Sequence, residues 1–184
     1  MKSDVYAVLT GDIVRSGKLK SEDLAAIQGR LKSIVPDLQV LSENAVIGRL
    51  GITRGDGWQL ALSRPDRALR SALYVRASLK AEFSIDTRVC IGVGGVERLV
   101  KDNIVESTGP AFELSGRGLD RLPGELFMEL QSDPLDKGLQ RMVRLMDCVV
   151  QRWSSTESRA VAGYLLGKTQ EEIAAESPPN SQTG

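Results

Sequence analysis

The sequence contains no histidine, and Cys90 and Cys148 are the only cysteines among its 184 residues. Without histidine, the chain cannot form a Ser-His-Asp or Cys-His catalytic group, a zinc site with imidazole ligands, or a histidine general base. Two thiols are also too few for a four-cysteine zinc site. Any acid–base chemistry or metal binding must therefore depend on carboxylates.

An excess of charge of one sign is also absent, because 24 Lys and Arg balance 24 Asp and Glu. A neutral chain lacks the broad basic surface that is typical of nonspecific nucleic-acid binding. No apolar run approaches the ~20 residues of a membrane-spanning helix. Lys2 and Asp4 precede the first apolar stretch, and no cleavage site follows it. We therefore expect no membrane segment and no signal peptide, and we expect both cysteines to be buried thiols of a cytoplasmic protein.

The sequence does contain alternating short strands and amphipathic helices, with 41% hydrophobic and 26% charged residues. Five apolar runs predict strands over residues 5–14, 45–53, 58–62, 87–93 and 125–130. Apolar spacings of three and four residues predict helices that start at 21, at Pro65 and at 111, the first of them ending near Pro36. The order β-α-β-β-α-β, with a hairpin in the middle, predicts an α+β fold of the ferredoxin-like type, with helices on one face of an antiparallel sheet.

From Pro134 onward the pattern becomes purely helical, with apolar residues along one long face. The chain is therefore predicted to consist of a domain at 1–132, a helical region at 133–177 and a flexible tail at 178–184. The tail is rich in proline and serine, which do not sustain a packed core.

Two capping boxes lie in the helical region, one formed by Ser154 with Glu157 and one by Thr169 with Glu172. Two capped helices joined at Gly167 are typical of the first part of a helix-turn-helix. The sequence ends where the recognition helix would begin, and the second helix is acidic. DNA binding stays open, but we expect the helix pair to pack on the domain instead.

Two aspartates are the candidate metal ligands. Asp12 ends the first predicted strand, and Asp56 lies in the hairpin at 54–57. In the predicted fold the first and third strands are central neighbours, so the two carboxylates converge. Mg²⁺ is commonly held by one or two carboxylates plus substrate phosphates, and Gly11 and Gly55 would let a triphosphate approach the backbone. Both aspartates are alternatively ordinary turn residues.

Further polar residues lie near these aspartates in sequence. Arg15 and Ser16 follow Asp12 in the loop where phosphate oxygens would lie, and arginine binds phosphate bidentately. Arg15 is alternatively a solvated surface charge. Gln59, on the third strand, either faces the site or lines the sheet edge. Trp58 is expected to be partly exposed and to serve in packing rather than in base stacking.

Four segments resemble the palm domain of class III nucleotidyl cyclases, and they occur in the family's order. The segments are TGDIVRS (10–16), RGDGWQ (54–59), TRVCIGVGG (87–95) and GPAFELSGRGLDRL (109–122). With the C-terminal TQEEIA they resemble SatD-type proteins even more, which are small bacterial proteins with a cyclase-like palm and a helix-turn-helix tail. The resemblance covers most of the chain and implies that a nucleoside triphosphate binds with Mg²⁺ or Mn²⁺.

The resemblance also assigns roles to individual residues. Asp12 and Asp56 take the places of the two metal-binding aspartates, with the backbone carbonyl of Ile13 beside them. Arg117 takes the place of the transition-state arginine, and Glu113 replaces an asparagine that orients the ribose. A carboxylate at that position would lie near an already negative triphosphate, which disfavours cyclase turnover. Arg117 could alternatively form an ion pair within its own helix.

Cyclases read the purine with a lysine just before the Gly-Asp hairpin, and Thr53 and Arg54 occupy that region here. Arg54 and Gly55 are therefore candidate nucleotide contacts. Cyclase palms work as head-to-tail dimers, with the metal ligands on one chain and the Asn/Arg helix on the other, so the resemblance implies a homodimer. The alternative functions are a DNA-binding regulator whose palm senses a nucleotide, and a scaffold without chemistry.

Overall fold

The computed structural model describes residues 4–53 and 55–176, and within them five strands form one mixed sheet. In chain order the strands are β1 (Tyr6–Ile13), β2 (Val46–Thr53), β3 (Gly57–Leu62), β4 (Thr87–Gly94) and β5 (Met128–Ser132). Their spatial order is β2-β3-β1-β4-β5, which confirms that β1 and β3 are central neighbours. β1 is antiparallel to β3 and β4, whereas β5 is parallel to β4.

Seven α-helices belong to the described residues. They are α1 (Ser21–Ser33), α2 (Val35–Leu41), α3 (Ala68–Phe83), α4 (Pro110–Asp120), α5 (Lys137–Gln151), α6 (Ser155–Leu165) and α7 (Gln170–Ala175). The α+β fold predicted from the sequence is confirmed. Three predicted boundaries are wrong. Pro36 lies in the first turn of α2, where its missing N–H costs nothing. The helix α3 begins at Ala68 rather than at Pro65, and β5 begins three residues later than expected.

Helices cover both faces of the sheet, whereas the sequence predicted helices on one face. The larger core lies between the sheet and α1 and α3, and it includes Leu9, Leu60 and Ile91. On the opposite face Val8 packs against Phe112 of α4. Both faces must be covered because the central strands are apolar on both sides.

The helix α5 packs against the edge of the sheet through Val143 and Val150, which are buried in the larger core. Cys148 is exposed, contrary to expectation, because it lies on a different side of α5 from these two valines. Cys90 is buried as expected, and burial raises the pKa of its thiol to about 12. Cys90 is therefore inert at neutral pH.

The helices α6 and α7 begin at the two predicted capping boxes, both of which form. Leu165 and Leu166 pack against the larger core, and Ile173 of α7 lies against Gly163 of α6. The helix pair thus packs on the domain as expected. In the described part of the chain, no helix is both long and apolar enough to span a bilayer. The predicted tail at 178–184 lies outside the described residues.

Candidate functional site

Asp12 and Asp56 line the same cleft, which has a volume of about 460 Å³ and lies at the end of β1. The backbone N–H of Ile13 donates to the backbone carbonyl of Asp56 at 3.2 Å, which joins the end of β1 to the hairpin. The side chain of Ile13 is buried in the core, so Ile13 contributes its backbone to the cleft. The structure therefore brings together the three candidate metal ligands.

Arg88 is a member of this cleft that sequence reasoning missed. It lies on β4 directly opposite Asp12, and its Nε donates to Asp12 Oδ1 at 2.8 Å while its Nη2 donates to Oδ2. The hydrogen bond that Arg88 donates to Asp12 is the largest cause that raises the pKa of Arg88. Burial opposes the rise, and the charges of Asp12, Asp56 and Asp120 add to it. Only the pairing of β1 with β4 could have pointed to Arg88, because 76 positions separate it from Asp12.

The loop after β1 supplies the next two candidates. Ser16 donates a hydrogen bond from its hydroxyl to Asp56 Oδ2, and both Ser16 and Arg15 line the cleft. Arg15 is exposed and has a left-handed backbone with φ of 59°, which is uncommon for a residue other than glycine. Gly55 lies at the tip of the hairpin with φ of 82° and open space around it. Arg54 lies outside the described residues.

Gln59 takes part in a polar link between the sheet and α4. Its Nε2 donates to the Thr10 hydroxyl at 3.0 Å, and that hydroxyl lies 2.7 Å from the hydroxyl of Ser115 on α4. Gln59 does not line the cleft of the two aspartates. Its predicted contact with a nucleotide therefore stays a prediction.

Gly11 and Trp58 have packing roles. A Cβ at residue 11 would lie 2.5 Å from both Trp58 Cε2 and the Arg88 carbonyl oxygen, so glycine makes room for the indole. The predicted role of Gly11 in the approach of a phosphate stays a prediction. Trp58 is fully buried, which corrects the expectation of partial exposure. Its Nε1 donates to the Thr87 hydroxyl at 2.8 Å, and that hydroxyl donates to the backbone carbonyl of Asp12 at 2.6 Å.

Glu113 and Arg117 lie in a different groove, between α4 and β5, with a volume of about 320 Å³. They form an ion pair of 3.0 Å with each other, and their side chains are 60% and 69% exposed. Among the described residues, none lines both this groove and the carboxylate cleft. One chain therefore does not bring Glu113 and Arg117 to the two aspartates.

The cleft has few donors for a metal ion. Among residues 4–53 and 55–176, no three His, Cys, Asp or Glu side chains are grouped so that they could hold a metal. Two carboxylates are enough for Mg²⁺ when phosphates and water complete its octahedron. Arg88 engages both oxygens of Asp12, however. The donor set therefore fits a divalent cation that arrives with phosphates and replaces Arg88 at Asp12.

Comparison with solved structures gives several cyclase catalytic domains. One is the catalytic core of a rhodopsin-guanylyl cyclase with converted specificity in complex with ATPalphaS, at a TM-score of 0.51 and 16% identity over 70% of this chain and 77% of that one. A second is the monomeric guanylyl cyclase domain of the RhoGC fusion protein from the aquatic fungus Blastocladiella emersonii, at a TM-score of 0.51 and 16% identity over 70% and 81%. A third is a bacterial light-regulated adenylyl cyclase, at 0.50 and 16% over 71% and 77%.

The chain has a nucleotidyl cyclase-like fold. At this level of identity the likeness concerns the fold of the palm, and function has to be argued from the palm's own residues. No protein-family model and no curated protein matches the sequence.

Proposed function

We propose that this protein is a SatD-type regulatory protein whose cyclase-like palm binds a nucleoside triphosphate with Mg²⁺ or Mn²⁺. The observation that carries the proposal is that Asp12, Asp56 and Arg88 share one cleft at the end of β1. The cleft offers carboxylates for a cation and a guanidinium for phosphate, and a metal triphosphate needs both.

In the proposed complex, the chain's own groups exchange partners. Asp12 and Asp56, with the backbone of Ile13, would hold the cation. The cation would neutralise phosphate charge. Arg88, once released from Asp12, would bind a phosphate oxygen pair, because a guanidinium fits phosphate bidentately. The Ser16 hydroxyl, now bonded to Asp56, would add one further donor.

Catalysis and oligomeric state belong to the same proposal. We infer a homodimer in which α4 of one chain supplies Arg117 to the carboxylate cleft of the other, and the separation of the two grooves within one chain supports this arrangement. Glu113 would bring a negative charge toward the triphosphate, so we propose nucleotide binding without cyclase turnover. A nucleotidyl cyclase or nucleotidyltransferase activity is the alternative.

DNA binding and a scaffold role stay predictions. Residues Glu171, Glu172 and Glu176 are exposed on or next to α7. Such an acidic surface repels DNA phosphates, which argues against a DNA contact through this helix. The cytoplasmic location is a prediction as well.

A thermal-shift screen tests nucleotide binding. The purified protein is heated with ATP, GTP, CTP or UTP, each with Mg²⁺ or Mn²⁺. A ligand at ~100 times its dissociation constant stabilises the folded state by about 2.7 kcal/mol, which raises the melting temperature visibly. We expect a shift with at least one triphosphate that requires the metal.

Two variants and one control make the screen specific. Asp12→Asn and Asp56→Asn should abolish the shift, because a neutral amide oxygen binds a divalent cation much more weakly than a carboxylate. Asp102→Asn, at an exposed position in the loop before α4, should keep it. A wild-type protein that shows no shift with any triphosphate would refute the proposed function.

A further inference from the structure

A buried arginine connects α5 to the palm. Arg76 of α3 is fully buried, and its Nε and Nη2 donate to the two carboxylate oxygens of Asp86 at 2.9 and 2.7 Å. Its Nη1 donates to Asp147 of α5 at 2.6 Å, and Asp147 is fully buried as well. Removing one member of this buried group of Arg76, Asp86 and Asp147 would leave an uncompensated buried charge, which is costly. A displacement of one of the three side chains is therefore expected to displace the other two.

Asp86 links this group to one wall of the carboxylate cleft. Its backbone carbonyl accepts from the N–H of Val14 at 3.0 Å, and Val14 lines the cleft two residues after Asp12. The side chain of Asp86 also accepts from the N–H of Thr87 at 2.8 Å. Thr87 is the residue whose hydroxyl holds the Asp12 carbonyl. A shift of Asp86 would therefore move the backbone on both sides of Asp12.

Asp147 links the same group to a second wall. Its Oδ2 accepts from the backbone N–H of Phe127 at 2.7 Å. The guanidinium carbon of Arg76 lies 5.9 Å from the centre of the Phe127 ring, within range of a cation–π interaction. Phe127 lines the same cleft as Val14. Asp147 of α5 is thus bonded directly to one residue of the cleft, Phe127, and is linked to a second, Val14, through Arg76 and Asp86.

We propose that Asp147 is a positioning residue, through which the docking of α5 sets Val14 and Phe127 and thereby the ligand affinity of the cleft. The part of this proposal that concerns ligand affinity rests on the proposed nucleotide binding.

Amide hydrogen exchange of full-length Asp147→Asn tests the coupling without any ligand. The matched control is Glu129→Gln, which breaks an ion pair between α5 and β5, where Arg144 donates to the buried Glu129. Changes along such networks alter coupling by about 2- to 30-fold. We expect Asp147→Asn to speed exchange at both Val14 and Phe127 by this factor, and we expect the control to leave Val14 unchanged.

The Val14 amide is the decisive readout. It does not contact Asp147 and is linked to it through Asp86 and the buried Arg76, whereas Phe127 contacts Asp147 directly. Unchanged Val14 exchange in Asp147→Asn, or equal acceleration in Glu129→Gln, would overturn the proposal. The dissociation constant for ATP with Mn²⁺ should rise by a similar factor in Asp147→Asn alone. A wild-type protein that binds no nucleotide would refute the proposed function. The exchange rate of the Val14 amide would still test whether Asp147 is coupled to the cleft, because that measurement needs no ligand.

A milder pair of variants keeps the test available if Asp147→Asn does not fold. Gln151 donates to Asp147 Oδ2 at 2.9 Å, so Gln151→Ala loosens the carboxylate without removing its charge. Its control is Gln140→Ala, since Gln140 also donates from α5 to the palm, at the Leu130 carbonyl at 3.3 Å. Gln151→Ala should speed exchange at Val14 by a smaller factor than Asp147→Asn. Equal exchange rates at Val14 in Gln151→Ala and in its control Gln140→Ala would count against the coupling.

Discussion

At Asp12, different partners hold different parts of one residue. Arg88 binds the carboxylate, and the Thr87 hydroxyl, itself bonded by the Trp58 indole, binds the backbone carbonyl. The backbone of Asp12 is therefore fixed from the core side, whereas its carboxylate is neutralised by a group that can leave. Such an arrangement suits a divalent cation, which would take the place of the Arg88 guanidinium at the Asp12 carboxylate.

Arg88→Met tests whether Arg88 competes with a cation. The ion pair is partly exposed, with side chains 34% and 23% accessible, so its loss should cost less than about 1 kcal/mol of stability. Without the guanidinium, we expect Mn²⁺ alone to bind more tightly and ATP with Mn²⁺ more weakly, because the phosphates lose their cationic partner. Calorimetric titration measures both. Unchanged metal affinity would show that Arg88 does not block Asp12.

Gly11→Ala tests the packing role of Gly11. The added methyl would overlap the Trp58 indole, and overpacking a core costs about 1–3 kcal/mol. We expect a lower denaturation midpoint and a change in Trp58 fluorescence. Gly17→Ala is the control, because nothing lies within 4 Å of the added methyl. A variant as stable as the wild type would mean that the glycine is not required for packing and would reopen a role in ligand approach.

At the scale of elements, α4 combines a buried side with an exposed charged side. Phe112 and Ser115 face the sheet, while Glu113 and Arg117 face solvent and pair with each other. The sequence predicted the start of this helix within one residue, since Pro110 marks its first turn and its apolar residues recur at helical spacing. The position of the Glu113–Arg117 pair away from the cleft could not be read from that spacing.

Glu113→Gln tests what the carboxylate on α4 does. The pair is exposed and spaced i,i+4, so its loss should change stability by at most about 0.5 kcal/mol. We expect tighter binding of ATP with Mn²⁺, because the substitution removes a negative charge near the triphosphate and releases Arg117. The thermal-shift titration measures the gain. Weaker binding would instead show that Glu113 contributes a favourable contact.

At the scale of the whole molecule, the carboxylate cleft and the α4 groove are separate within one chain. The carboxylate cleft lacks the α4 residues, and the α4 groove lacks the carboxylates. A head-to-tail pair of chains would unite them, whereas a monomer would leave both open. This difference makes the oligomeric state a test of the site itself.

Mixing two variants that each bind nucleotide poorly distinguishes a shared site in a dimer from a site within one chain. Asp12→Asn and Arg117→Ala each damage one half of the shared site, so each alone should bind ATP with Mn²⁺ poorly. In a mixed dimer, one of the two sites regains wild-type residues on both sides. Random subunit exchange in an equal mixture makes about half of the dimers mixed, so we expect recovery of about a quarter of the wild-type binding capacity, measured by titration. No recovery, together with a monomer in sedimentation, would refute the shared site.

Sequence alone determined the features that depend on neighbouring residues. The strand runs, the capping boxes at Ser154 and Thr169, and the hairpin around Asp56 follow from local propensity and turn chemistry. The convergence of Asp12 and Asp56 followed once the order of elements suggested the fold. These features were predictable because each needs only a short stretch of chain, or one topology.

Tertiary structure alone decided which charges meet. Arg88 lies opposite Asp12, and Arg76 lies between Asp86 and Asp147, only because strand register and helix docking bring together residues that are distant in sequence. The same packing buries Trp58 and exposes Cys148, although both lie in apolar segments. Burial and ion pairing depend on residues of other elements that pack against a given side chain, and the local sequence does not indicate which residues those are.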